Sequence, residues 1–155
     1  MHRDDINVPQ EVRAVRAALW AGPRDAGLTI GLFGPGPDRT MRGFTENVLV
    51  GNFMVTLGCS APRTKPEECE FSITVSDMTP GRPARTDGLG LLLLHFKTGI
   101  WRLHIELSER LFQWDGVYDR LTGGVLAQKS LGEIRAPEAV IVANAVGQFL
   151  VERAA

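Results

Sequence analysis

The residue types best able to do chemistry gather in one short stretch: His95, Arg102, His104 and Glu106. Leu89–Phe96 and Ile100–Leu107 read as two strands of a hairpin turning at Thr98-Gly99. That register sets His95 across from Arg102, with His104 diagonal to His95 and Glu106 two residues further on. Two imidazoles that titrate near neutrality, with a carboxylate beside them, have the composition of a general acid–base pair or of a partial metal site. A guanidinium in the same patch suits a carboxylate or phosphate, which it grips with two hydrogen bonds. The plainer reading is a solvated strand face, because polar residues two apart are what any sheet with one wet side shows. We take the plainer reading as the baseline. His95, Arg102, His104 and Glu106 are therefore ligand-binding candidates, with no catalytic residue, no metal and no cofactor assigned.

A second group combines aromatics with charge. Trp101, Phe112, Trp114 and Tyr118 run together with Asp115, Asp119 and Arg120. Aromatic side chains beside arginine are what interfaces prefer, which makes Trp114, Tyr118 and Arg120 partner-binding candidates. An amphipathic element whose aromatics complete a core has the same composition. Cys59 and Cys69 are the two cysteines. Joined, they would close a short loop worth about 3 kcal/mol; in a reducing compartment they stay thiols and pack as small hydrophobes, the reading we favour. They lack the spacing and the further ligands of a zinc site. Gly31 to Gly36 has neither the P-loop nor the dinucleotide-binding spacing, and its prolines remove amide donors that a phosphate would use. No catalytic motif of the triad, nucleophile-elbow or metalloprotease type is present.

These candidates must be held by a scaffold, and composition limits its kind. The chain has 155 residues, a length that suits one domain with its own core. Lys plus Arg is 17 against 18 for Asp plus Glu, leaving a net charge of −1, unlike a nucleic-acid or anionic-membrane binder. Arginine supplies 14 of those 17 cations, a scattered excess that reads as coding bias. No apolar run reaches the roughly 20 residues of a membrane helix, and Met1 to Gln10 lacks the apolar stretch of a signal peptide. The expectation is a soluble, cytoplasmic domain spanning residues 1–155.

Periodicity then places the elements. Val8, Val12, Val15 and Leu19 form one stripe of a helix over 8–21, capped at Asn7 and stopped by Gly22-Pro23, with Arg13 and Arg16 on other faces. Residues 28–33 read as a short strand. From Leu49 to Cys59 the odd positions form an apolar face, as do Cys69, Phe71, Ile73 and Val75. This predicts a hairpin of 46–59 with 69–77, pairing Cys59 with Cys69, Leu57 with Phe71, Val55 with Ile73 and Phe53 with Val75. Residues 80–88 form a loop, and the 89–96/100–107 hairpin follows, its leucine-rich first strand central in the sheet. Residues 108–134 stay ambiguous: a helix from Ser108 to Trp114 or a turn at Asp115-Gly116, then a turn at Gly123-Gly124 and a last strand over 125–128. A closing helix covers 137–153, burying Ala139, Val142, Ala143, Val146, Phe149 and Leu150.

Strands in a run, flanked by helices, indicate an α+β fold: one antiparallel sheet of five to seven strands with both terminal helices against one face. The leading functional expectation is a non-enzymatic protein–protein interaction domain, adaptor- or chaperone-like, binding another protein or itself as a homodimer. Two alternatives stay open. One is a small-molecule module with a pocket between sheet and helices; the other is a small enzyme using His95, His104 and Glu106. Neither nucleic acid nor membrane is an expected partner.

Overall fold

The computed structural model describes residues 8–33, 41–62, 65, 68–77, 92–105, 117–125 and 132–155. Helix α1 (Gln10–Asp25) leads into strand β1 (Gly31–Phe33), β2 (Met41–Val50), β3 (Phe53–Pro62), β4 (Glu70–Asp77), β5 (Leu92–Lys97) and β6 (Ile100–Ile105). A short helix α2 (Val117–Thr122), strand β7 (Gly132–Ile134) and helix α3 (Ala136–Ala154) complete the order. The seven strands lie in one antiparallel sheet in the order of the sequence, β1 to β7. This is the expected α+β fold at the upper end of the strand count. Among the described residues no helix is long and apolar enough to cross a membrane.

Alternation decides which side of the sheet is buried. Along β3 every odd residue from Phe53 to Ala61 is buried and the even ones are half-buried. Phe71, Ile73 and Val75 of β4, Leu92, Leu94 and Phe96 of β5, and Trp101 and Leu103 of β6 complete the apolar side. The six apolar residues expected on α3 are all buried, and Phe149 meets Phe53 edge-on with ring centres 5.1 Å apart. At the start of α3 the Glu138 carboxylate accepts the Arg135 amide at 3.0 Å, which holds its pKa below the usual value.

Three sequence expectations are corrected. First, 46–59 is not one strand: Gly51-Asn52 is a two-residue turn that pairs Val50 with Phe53, with Gly51 at φ +58°. The turn reverses parity, so Phe44, Glu46 and Val48 face the core and Leu49 is 57% exposed. Second, β3 and β4 pair two residues away from the expected register: Cys59 opposes Phe71, Leu57 opposes Ile73 and Val55 opposes Val75. A shift of two preserves the buried side, so apolar alternation cannot distinguish the two registers. Third, α1 runs through Gly22-Pro23 to Asp25. Its closing glycine is Gly27 at φ +78°, where Gly27 N bonds Arg24 O and Leu28 N bonds Pro23 O, a Schellman ending.

Elsewhere the expected hairpin holds its register, with Phe96 on Trp101, Leu94 on Leu103 and Leu92 on Ile105. Its turn is the tight two-residue form, with Thr98 at φ 52° and Gly99 at φ 78°. Thr98 Oγ1 donates to Lys97 O at 2.7 Å. Gly123-Gly124 is a turn as expected, but the last strand is 132–134, and Val125 lies outside any strand. Asn7, 34–37, 80–88, 108–116 and 126–128 lie outside the described residues.

Pro23 survives inside α1 because the helix packs there instead of ending. Proline has no amide hydrogen for the Leu19 carbonyl. That carbonyl faces Gly147 of α3, and a Cβ on Gly147 would overlap it. The two helices therefore meet through backbone, where a Cα–H can approach the released oxygen. Gly147→Ala gains about 1 kcal/mol of helix propensity but forces the helices apart, so we expect a net loss of about 2 kcal/mol in urea unfolding. An unchanged or raised stability would mean that the helices do not touch at this point. Thr98→Asn relieves a β-branched residue of the left-handed region, and the same measurement should show a gain of about 1 kcal/mol.

Candidate functional site

Pairing across the sheet carries one row of residues over all seven strands. Phe33 pairs with Thr45, Thr45 with Gly58, Gly58 with Ser72, Ser72 with His95, His95 with Arg102, and Arg102 with Glu133. From Thr45 to Glu133 these residues face away from the helices. The adjacent row runs through Asn47, Thr56, Thr74, Leu93 and His104. Small hydroxyl residues and glycine fill the β2–β4 half of the surface, while imidazole and guanidinium groups stand over β5 and β6.

His95, Arg102 and His104 thus come together as expected, each half-buried. Glu106 and Trp114 lie outside the described residues; Tyr118 falls within α2, and its side chain is not among those described. His95 is already engaged: its Nε2 lies 2.9 Å from Glu70 Oε1. Glu70 is a residue the sequence reading passed over, and its position two before Ser72 on the outward side of β4 was the available signal. Arg102, by contrast, makes no hydrogen bond or ion pair with any other described residue, and neither does His104. Among the described residues no three His, Cys, Asp or Glu side chains form a group able to hold a metal ion. The outward side of β5 and β6 thus carries a guanidinium unmatched by any other described residue.

Arg120 has different surroundings. It is exposed on α2, ion-paired with Glu152 of α3, and its guanidinium lies 5.6 Å from the centre of the Phe149 ring. It joins the two helices.

A second polar cluster lies on the buried side, and the sequence reading missed it. Glu46 is fully buried. Its Oε1 accepts from Arg16 Nε at 2.8 Å and from Trp20 Nε1 at 3.1 Å, and its Oε2 accepts from Arg16 Nη2 at 3.2 Å. Arg16 and Trp20 are one helical turn apart on α1, so one face of the helix supplies all three donors. The Arg16 guanidinium also lies 4.9 Å from the centre of the Phe44 ring. Next to this cluster the Cys59 and Cys69 sulfurs approach to 3.8 Å, both buried and free. The hydrogen bond between the two sulfurs, together with burial, raises the Cys59 pKa; the same bond lowers that of Cys69.

Comparison with known proteins adds no assignment: no protein-family model, no curated protein and no solved structure matches the chain.

The buried carboxylate makes a clear demand on stability. Arg16→Ala removes a guanidinium and two hydrogen bonds from the buried Glu46, and urea unfolding should show a loss of about 3–5 kcal/mol. Adding Glu46→Leu removes the stranded charge and should recover most of that loss. If the double variant is as weak as the single one, the pair is not the source of the effect.

Proposed function

We propose that the chain is a non-enzymatic interaction domain that docks a protein partner on the outward side of its sheet, with Arg102 as the anchor for a partner carboxylate. The observation that supports this most directly is the state of Arg102: half-buried, on β6 in a polar row, and without a partner among the described residues. A guanidinium so placed offers two parallel donors to an acidic side chain.

The surroundings favour a surface over a pocket. On the helix side the space is filled by residues such as Phe53, Phe71, Leu94, Val146 and Phe149, all buried. A small-molecule site between sheet and helices has correspondingly less support, and an acid–base enzyme less again, with His95 held by Glu70. The two edge strands, β1 and β7, have three residues each. Edges that short discourage strand addition. The outward face remains, about 30 Å across from the usual strand spacing and about 600 Å² in area, approaching the roughly 800 Å² per partner of a standard interface.

Glu133 stands in the same row, and Glu70 lies two residues before its Ser72 on the same side, so under a two-fold axis Arg102 of one copy can meet a carboxylate of another. A second copy is accordingly the first partner to test. Light scattering after size exclusion should show a dimer that Arg102→Glu weakens by about tenfold or more in Kd, and that added salt also weakens. If the protein is monomeric, affinity capture with wild type and Arg102→Glu should show a protein retained by the first and lost from the second. Association that is identical for both forms would reject this face as the binding surface.

A further inference from the structure

The outward face does not involve the two cysteines, and their arrangement points to a separate chemistry. Cys59 lies in the β3 ladder opposite Phe71. Cys69 lies one residue before β4, so it is outside the paired ladder and at the end of the connector. The sulfurs are 3.8 Å apart with a hydrogen bond between them. The neighbouring Glu68 is exposed, its side chain 54% accessible, and so is Lys65 with which it pairs. Both cysteines are buried, with the exposed Glu68 next to Cys69 in the chain; one partner is anchored in the sheet and the other lies on the adjoining connector.

We propose that Cys59 and Cys69 form a reversible dithiol–disulfide couple oxidised by hydroperoxides, with Cys69 as the attacking sulfur and Cys59 as the resolving one. Cys69 sulfur attacks the outer oxygen of the peroxide and the O–O bond breaks. This forms a sulfenic acid and releases the alcohol, or water when the oxidant is hydrogen peroxide. Cys59 sulfur then attacks the sulfenic sulfur, forming the S–S bond and expelling its oxygen as water with the Cys59 proton. In all, two thiols and one hydroperoxide become one disulfide, one alcohol and one water. A thiol or dithiol reductant reverses the step by exchange.

Local electrostatics support this division of roles. The hydrogen bond between the two sulfurs acts in the direction that favours the Cys69 thiolate, the form that reacts, against the opposing effects of burial and of Glu70. Arg16 acts on Cys59 in the direction that favours its thiolate, and Glu46 opposes it. The couple therefore borders the cluster that docks α1, and closing the bond ties the end of the connector to the strand beside that joint.

The test uses folded full-length protein and hydrogen peroxide, read by intact mass. Wild type should lose two hydrogens, resist thiol alkylation, and regain both thiols with dithiothreitol. Cys59→Ser should gain one oxygen at Cys69, trapped by a sulfenic-acid reagent. Cys69→Ser should react about tenfold more slowly than Cys59→Ser. Circular dichroism confirms that each variant is folded, and the wild-type mass readout stands without either of them. The proposal is overturned if folded wild type keeps two alkylatable thiols after peroxide, forms only intermolecular disulfides, or accumulates oxygen adducts without losing two hydrogens. Equal reaction rates in the two variants would overturn the assignment of Cys69 as the attacking sulfur.

Discussion

A carboxylate with no access to water sets the terms for the helix side of this protein. Glu46 is fully buried on the core side of β2, where an unpaired charge would cost several kcal/mol. The charge is held by three donors from Arg16 and Trp20, which only one rotation and one height of α1 can deliver together. Hydrophobic contact alone leaves a helix free to slide or turn on a sheet, because apolar burial has no direction. The hydrogen bonds to Glu46 remove that freedom. With α1 placed, its Leu19 carbonyl meets Gly147 without an intervening side chain, and α3 is set over Phe53 in turn.

This constraint was largely hidden in the sequence, for a physical reason. An isolated acidic residue in a strand ordinarily reads as solvent-facing, and Glu46 is recognisable as buried only once Phe44 and Val48 are seen to share its side. That depends on the Gly51-Asn52 turn, which reverses the alternation between β2 and β3. Read through Gly51 as though it were one more apolar position, Leu49 and Phe53 join a single false strand. Arg16 escapes notice for a similar reason: the apolar stripe Val8, Val12, Val15 and Leu19 describes what touches the core, not what reaches past its edge to a buried charge.

The outward candidates were more legible. Thr98-Gly99 allows a two-residue turn, and that turn sets every later pairing of its hairpin, so His95 opposes Arg102 as expected. The β3–β4 register was not legible in the same way, because its connector is long and either register puts apolar side chains opposite one another. The terminal helix α3 was read almost to its ends because its buried residues repeat cleanly at helical spacing. Such a pattern survives where packing, not a turn or a cap, decides the outcome. At the end of α1, Gly22-Pro23 carries a local stop signal that contact with α3 overrides.

The two sides of the sheet treat charge oppositely, and the contrast bears on what each side is for. On the helix side the carboxylate meets its matching donors within the chain, so the cluster stabilises one arrangement and has little left to offer a ligand. On the outward side Arg102 remains unmatched by any described residue, at little cost while water still reaches it. A partner that covered Arg102 with apolar surface would strip that water and leave a charge uncompensated, a penalty of several kcal/mol. A partner that brings a carboxylate avoids the penalty and gains two directed hydrogen bonds. On the proposed docking, the same arginine would reject the wrong surface more strongly than it attracts the right one, and selectivity would come from that asymmetry.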